Sequence, residues 1–182
     1  MHCRLNQQLI TLLCYIARKL IAVGDWVFLF GLSKIVELGD TVFLVLKKRP
    51  VTFLHVYHHC TVLVYTWSTG SKRAAIGRWF VILNMMAHSA MYTYYAFMSA
   101  GIKVPRKIAR CVTIVQITQF VIGLFILFTV CAIKATTDWN CYNEWTTLFF
   151  GIFIYFSYFV LFGNFFIETY HKKFTQKYNK QN

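Results

Sequence analysis

Three histidines stand close together in the string FLHVYHH, at positions 55, 58 and 59. Residues at i, i+3 and i+4 lie on one face of a helix, so the three imidazoles are expected to project together. Imidazole can bind a metal, move a proton or attack a carbonyl carbon. A lone histidine on an apolar helix is often a packing residue, but packing is a poor explanation for three on one face. The cluster therefore predicts a catalytic site.

One interpretation of the cluster is a metal site, because the pattern HxxHH also occurs in the histidine boxes of membrane di-iron desaturases and hydroxylases. Those proteins resemble one another in using more histidines than the six of this chain, two of which, His2 and His171, lie near its ends. A single zinc held by three nitrogens and a water stays open, although imidazoles spaced in this way rarely all face one ion. The count favours a site without a metal.

The other interpretation is nucleophilic and acid–base catalysis. Because burial away from water disfavours the imidazolium ion, the rings are expected to be neutral inside a membrane. A neutral imidazole can attack a thioester and form an acyl-imidazole, which is a reactive intermediate for acyl transfer. Charged and amide groups on neighbouring helices would orient the rings and stabilise a developing oxyanion.

The composition indicates that these histidines lie in a membrane. Of the 182 residues, 58% are hydrophobic, and the mean hydropathy is +0.51, which exceeds what soluble domains usually carry. Lys and Arg outnumber Asp and Glu by 19 to 6 and cluster between apolar stretches. A spanning helix needs about 20 mostly apolar residues. We predict five spans, at 24–46, 53–69, 79–100, 111–133 and 145–168.

The basic loops predict how the spans are oriented, because short cytosolic loops retain Lys and Arg. The clusters at 47–49 and 103–110 and the C-terminal tail fall on the more basic side, so the C-terminus is predicted to be cytosolic. The two loop clusters are also expected to attract a polyanion such as coenzyme A. The loop at 134–144 would then be lumenal, where a disulfide from Cys141 to Cys3 or Cys14 stays open.

Ionisable and amide side chains inside the spans are further candidates, because they are costly in a membrane. Those of the first span share a helix face and would either line a site or lock helices together through ion pairs; they are Lys34, Glu37, Asp40 and Thr41. Those of the third span are Asn84, His88, Met91, Tyr92 and Tyr95. Those of the fourth are Thr113, Gln116, Gln119 and Phe120, with Gly123 one turn on for close helix approach. For any single helix, interhelical hydrogen bonds explain such a row of polar residues as well as a tunnel does. Polar rows on four helices together predict one interior tunnel.

Four motifs resemble, in order and spacing, the signature boxes of the ELO family of very-long-chain fatty acid elongases. They are KIVELGDT at 34–41, FLHVYHH at 53–59, NMMAHSAMYTYY at 84–95 and TIVQITQF at 113–120. The similarity runs from about Trp26 to the basic tail. Within the family, ELGDT, the histidine at position 55 and the VPRKIARCVTIVQITQ stretch are most similar to the subgroup acting on saturated and monounsaturated acyl-CoAs.

The resemblance implies a multi-pass enzyme of the endoplasmic reticulum membrane, a 3-oxoacyl-CoA synthase. It would condense a long-chain acyl-CoA with malonyl-CoA, releasing CO2 and CoA. The implied fold is all-α, a seven-helix barrel around an acyl tunnel. As a single domain, residues 1–182 would supply about five of these helices and lack the first one to two. The resemblance implies no bound metal or cofactor. The bilayer and the other enzymes of the elongation cycle are the implied partners, self-association is left open, and no nucleic acid is expected.

The resemblance also implies roles for individual residues. His58 would accept the acyl group, His88 would assist the second half-reaction, and His55 and His59 would orient and exchange protons. The other residues implied at the substrate site are Lys34, Glu37, Asp40, Thr41, Asn84, Tyr92 and Gln116. Two alternatives stay open, a metal-dependent membrane lipid oxidase or hydroxylase and an inactive truncated membrane subunit.

Chain length would depend on where a side chain closes the tunnel. Four bulky residues are candidates for this closure, with lipid-facing or packing positions as the alternative: Phe125, Phe128, Phe149 and Phe153.

Overall fold

The computed structural model describes residues 22–46, 48, 51–71, 76–136 and 144–172, and within these ranges all regular structure is helical. The α-helices are α1 (Ala22–Leu46), α2 (Phe53–Ser71), α3 (Gly77–Ser99), α4 (Arg106–Thr136) and α5 (Trp145–Phe166), and α5 continues into a π-helical turn, Ile167–Lys172. One helix lies on each predicted span, so the five helical positions are confirmed. Cys3, Cys14 and Cys141, between which a lumenal disulfide was left open, lie outside the described residues.

The connection between α3 and α4 shows how the sequence ends one helix and begins the next. Gly101 has a φ of +79°, a left-handed conformation that glycine adopts without a Cβ penalty. Its amide donates to the carbonyl of Met98, and the amide of Ile102 donates to that of Phe97. These two bonds form a Schellman motif, which satisfies the last carbonyls of α3. Pro105 stands immediately before the first residue of α4.

The five helices pack in a closed cyclic order, α1–α2–α5–α4–α3 and back to α1. The α4–α5 contact is the most extensive of these, and glycines let the two helices approach. A Cβ on Gly123 would overlap the ring of Tyr155, and one on Gly151 would meet Tyr65 Oη and Leu127 Cδ2. The close helix approach predicted at Gly123 is therefore confirmed.

Apolar side chains cover much of the outer surface of the bundle. By length and composition, two stretches of the described chain could cross a membrane, Arg106–Thr136 and Trp145–Tyr170. Lys34, Glu37 and Asp40 interrupt the apolar character of α1. The architecture is thus all-helical and consistent with a polytopic membrane protein, and the seven-helix barrel stays a prediction.

The four bulky residues considered for tunnel closure point out of the bundle. Each is between 55% and 70% exposed, so they lie on the outer surface of the described bundle and close no interior space within it; they are Phe125, Phe128, Phe149 and Phe153. The aromatic side chains that do fill the interior belong to other positions, among them Tyr65, Phe80, Phe120, Tyr155 and Tyr158.

Two hydroxyl pairs join α2 to α5. Tyr57 Oη lies 2.9 Å from Ser157 Oγ, and Thr61 Oγ1 lies 2.7 Å from Tyr158 Oη. We expect Thr61→Val to lower the free energy of unfolding by about 1 kcal/mol, because interhelical hydrogen bonds in membrane proteins contribute on that order. Thermal unfolding in detergent measures the loss. The control is Thr129→Val, since that hydroxyl donates within α4 to the carbonyl of Phe125. Equal losses in the two variants would contradict an interhelical role.

Candidate active site

The imidazole of His58 lies at the centre of the bundle and is surrounded by side chains from four helices. The residue is 6% exposed. Its ring centroid is 5.3 Å from that of His59 on α2 and 6.1 Å from that of His88 on α3. The ring also packs against three aromatic rings at 4.8 to 6.4 Å, those of Tyr158, Phe162 and Phe120. The packing of α4 and α5 on α2 therefore encloses the histidine in an aromatic wall.

A buried ionic network connects α1 to α3. Lys34 is 1% exposed, and its Nζ lies 2.6 Å from Glu37 Oε1 and donates to Asn84 Oδ1 at 2.7 Å. The ammonium group also lies 4.4 Å from the ring centre of Phe30. The i,i+3 pairing predicted for Lys34 and Glu37 is present, and the network holds the two helices together as the ion-pair interpretation predicts. The same network also borders the histidines. It therefore agrees with both roles considered for these residues, lining a site and locking helices together.

The second oxygen of Glu37 faces two histidines. Oε2 lies 3.7 Å from Nδ1 of His88 and 3.9 Å from Nδ1 of His59. These separations are too long for direct hydrogen bonds. Together with the Lys34 contact, they place a carboxylate beside the histidine cluster, on the side facing α1.

The remaining candidates on α1 and α3 lie towards one end of the bundle and become more exposed. Thr41 Oγ1 lies 3.0 Å from Nε2 of His55, which is half-buried. Tyr92 Oη donates to Asp40 Oδ2 at 2.7 Å, and 38% of Tyr92 is exposed. The polar residues therefore run from the buried Lys34 towards the more exposed end of the bundle where α1 and α3 finish.

The polar residues of α4 are less closely tied to the histidines. Gln116 donates from Nε2 to the sulfur of Met91 at 3.4 Å. Gln119 is buried, with its Oε1 unpartnered. Thr113 Oγ1 lies 3.4 Å from Tyr170 Oη in the π-helical turn. The structure thus leaves Gln116 half-buried, and among the described residues it forms no hydrogen bond to another predicted site residue.

The three histidines of α2 do not all face one point. His55 contacts Thr41 of α1, His59 faces Glu37, and His58 faces the aromatic wall from α4 and α5. Over the ranges that the structure describes, no three His, Cys, Asp or Glu side chains are grouped so as to hold a metal ion. The metal interpretation gains no support from this part of the chain.

The contribution of α5 was missed by the sequence analysis. Tyr158 and Phe162 contact the His58 ring, and Tyr158 Oη also lies 3.4 Å from the His58 carbonyl oxygen. The helix reads as uniformly apolar, so no polar stripe indicated a site. The sequence nevertheless places one glycine and three aromatic residues on one face of this helix, which indicates a face that packs against other helices. They are Gly151, Tyr155, Tyr158 and Phe162, at i, i+4, i+7 and i+11.

Comparison with known proteins gives matches that all belong to one family. The sequence matches the family model of the GNS1/SUR4 (ELO) family over residues 3–178. It is 45% identical over 150 residues to putative fatty acid elongase 3 of Caenorhabditis elegans, covering 82% of this chain and 47% of the relative. It is 43% identical over 145 residues to very long chain fatty acid elongase 6 of Mus musculus, covering 80% and 54%. It is 38% identical over 164 residues to very long chain fatty acid elongase 3 of Homo sapiens, covering 90% and 59%. No solved structure matches the chain.

The fold and the site define a class, helical membrane proteins with a buried histidine cluster bordered by an interhelical ionic network. The chain belongs to the ELO (GNS1/SUR4) family of fatty acid elongases. The resemblance seen in the four sequence motifs is thereby confirmed. The chain spans about half the length of the curated relatives it matches.

Proposed function

We propose that this chain carries the condensing chemistry of fatty acid elongation, a 3-oxoacyl-CoA synthase activity. A ring nitrogen of His58 attacks the thioester carbon of a long-chain acyl-CoA, the C–S bond breaks, and CoA leaves as the thiol after protonation. Malonyl-CoA then loses CO2, and the resulting enolate carbon attacks the acyl-imidazole. The imidazole leaves, and the product is a 3-oxoacyl-CoA two carbons longer. The observation that carries the proposal is the enclosure of His58 beside two further imidazoles.

The packing around His58 supports its role as the acyl acceptor. The rings of Phe120, Tyr158 and Phe162 border its imidazole. An acyl-imidazole hydrolyses readily when water reaches it, and apolar walls limit that side reaction. His59 is less suited to the role, because its Nδ1 faces the carboxylate of Glu37. The ring of His88 lies 6.1 Å from that of His58 and would assist the enolate step, while His55 would orient the neighbouring rings.

Charge at one end of the bundle supports binding of the CoA part of both substrates. The loop between α3 and α4 and the first turns of α4 carry four exposed basic side chains, Lys103, Arg106, Lys107 and Arg110. They lie at the same end as the Asp40–Tyr92 contact. Basic side chains attract the phosphates of a nucleotide-bearing thioester, so the acyl chain would enter the interior from this end. Saturated and monounsaturated long-chain acyl-CoAs are the proposed substrates.

The rest of the proposal follows family membership and the basic loops. The protein would reside in the endoplasmic reticulum membrane with its C-terminus in the cytosol. It would work beside the other enzymes of the elongation cycle and use no bound metal or cofactor. Elemental analysis for iron and zinc in the purified protein tests the last point.

The test is an elongation assay on membranes from cells that express the chain. With labelled malonyl-CoA and palmitoyl-CoA, we expect a labelled 3-oxoacyl product two carbons longer. His58→Ala should abolish it, because no nucleophile remains at the enclosed position. The matched control is Cys60→Ala, since Cys60 lies on α2 close to His58 but is exposed. The proposal fails if the parent chain forms no product or if His58→Ala forms as much as the parent.

A further inference from the structure

One buried carboxylate oxygen lies near two buried imidazole nitrogens without a hydrogen bond to either. They are Glu37 Oε2, His59 Nδ1 and His88 Nδ1, and each of the three is shielded from solvent and unpartnered. Oε2 lies 3.9 Å from the first nitrogen and 3.7 Å from the second. Buried polar groups normally have a partner, because leaving one unsatisfied costs about 1–3 kcal/mol. Both nitrogens lie at a separation from the same oxygen that one small bridging donor and acceptor can span.

The carboxylate of Glu37 is held in the orientation that creates this point. Its other oxygen, Oε1, is paired with Lys34 Nζ at 2.6 Å, and the same Nζ is fixed by Asn84 Oδ1 at 2.7 Å. Lys34 is almost fully buried. Rotation of the carboxylate towards either histidine would break the contact with the lysine. The histidines, which come from different helices, thus share one fixed acceptor that neither reaches directly.

We propose that one bound water molecule bridges Glu37, His59 and His88. An oxygen that hydrogen-bonds to Glu37 Oε2 at about 2.8 Å can also come within about 2.8 Å of an atom 3.7 or 3.9 Å away from that oxygen. The water would donate one hydrogen to Glu37 Oε2. Its other hydrogen and its two lone pairs can satisfy both Nδ1 atoms, either as two N–H donors or as one donor and one acceptor.

The consequence is a positioning function for Glu37, and this part rests on the proposed function. The bridge fixes which nitrogen of each imidazole carries the proton and how each ring is turned. Both rings lie beside His58, whose centroid is 5.3 Å from that of His59 and 6.1 Å from that of His88. Glu37 therefore sets the orientation of the groups that flank the acyl acceptor without touching the substrate itself.

The direct test is nitrogen NMR of the detergent-solubilised chain labelled with ¹⁵N-histidine. His59→Phe and His88→Phe assign the two pairs of ring signals. In Glu37→Gln we expect the Nδ1 signals of both His59 and His88 to shift together. The signals of His55 should shift less, because its Nε2 lies 3.0 Å from Thr41 Oγ1 and only its ring, 4.4 Å from that of His59, borders the bridge. If the signals of His59 and His88 stay unchanged, or if only one shifts, the shared bridge is wrong.

A second variant distinguishes the loss of the bridge from misfolding of the protein. Glu37→Gln leaves the buried ammonium of Lys34 without its counter-ion, so the protein is also examined as Lys34→Met/Glu37→Gln, which removes both charges. The same paired shift of the two Nδ1 signals is expected. Its absence in a folded double variant, as judged by far-UV circular dichroism, would overturn the proposal.

Activity separates this inference from the proposed function. If the parent chain elongates palmitoyl-CoA, Glu37→Gln should lower kcat on the order of 10-fold with KM little changed, because misplaced catalytic groups slow the chemical step. Glu144→Gln, the same substitution at the exposed start of α5, should leave kcat unchanged. An inactive parent contradicts the proposed function, and the NMR result still decides the bridge. An active parent with unchanged kcat in Glu37→Gln contradicts the positioning function.

Discussion

Replacing Lys34 by methionine is expected to lower the free energy of unfolding by about 3 kcal/mol or more. The substitution keeps the length of the side chain but removes the ammonium that pairs with Glu37 Oε1 and donates to Asn84 Oδ1. Both acceptors lie in the interior, so they would lose a charged partner that water does not replace. An uncompensated buried carboxylate is the costly outcome, because the energy of taking a charge out of water is no longer offset. Chemical unfolding in detergent, followed by circular dichroism, measures the loss.

The control for this prediction is the double variant Lys34→Met/Glu37→Gln. It removes the positive and the negative charge together, so it should recover part of the lost stability even though one more native group has been changed. A third variant, Asp40→Asn, changes a carboxylate of the same helix at the more exposed contact with Tyr92 and should cost much less. If Lys34→Met alone is as stable as the parent, the network does not hold α1 to α3.

The positions of the helices could be predicted from the sequence because the length of each apolar stretch determines them. Apolar stretches long enough to span a bilayer alternate with basic loops, and the predicted 53–69 and 145–168 lie on α2 (Phe53–Ser71) and on α5 with its π-helical turn. The order in which the helices pack was not predictable in this way. It depends on contacts such as Gly123 against Tyr155, which join residues far apart in the sequence.

The site was predictable where the sequence carries ionisable groups at helical spacing. Lys34 and Glu37 pair as their i,i+3 spacing indicates, and Asn84 completes the network from another helix. The spacing did not reveal which partner each ring meets on the neighbouring helices, Thr41 for His55, Glu37 for His59 and the aromatic wall for His58. It also did not single out Tyr158, because the helical spacing of Gly151, Tyr155, Tyr158 and Phe162 marks an inward face of α5 but not which ring on that face meets a histidine of α2.

The ionic network and the aromatic wall stabilise different sides of the same cluster. Lys34 and Glu37 fix the side of His59 and His88 that faces α1, through contacts between charges. On a different side of the cluster, aromatic rings from α4 and α5 pack against the imidazole of His58 and hold it in place. Loss of the first should disturb protonation and orientation of the imidazoles, whereas loss of the second should open the acyl site to water.

Substitution of Gly123 by alanine is expected to lower the free energy of unfolding by about 1–3 kcal/mol. The added methyl group would overlap the ring of Tyr155. That ring cannot move aside freely, because it is 8% exposed and packs at 4.7 Å from the ring of Phe80 and 6.0 Å from that of Phe120. The helices must therefore separate, and the aromatic wall around His58 opens. Thermal unfolding in detergent measures the loss, and elongation of palmitoyl-CoA should fall with it.

The matched control is Gly163→Ala on α5, where a Cβ meets no atom within 4 Å among the described residues. Because alanine is the better helix former by up to about 1 kcal/mol, this variant should be as stable as the parent or more stable. The double variant Gly123→Ala/Tyr155→Leu tests the cause, since a smaller side chain at 155 leaves room for the methyl group. Partial recovery relative to Gly123→Ala identifies the overlap as the origin of the loss. A further loss in the double variant would instead mean that the two positions act independently and that close approach at Gly123 does not hold α4 to α5.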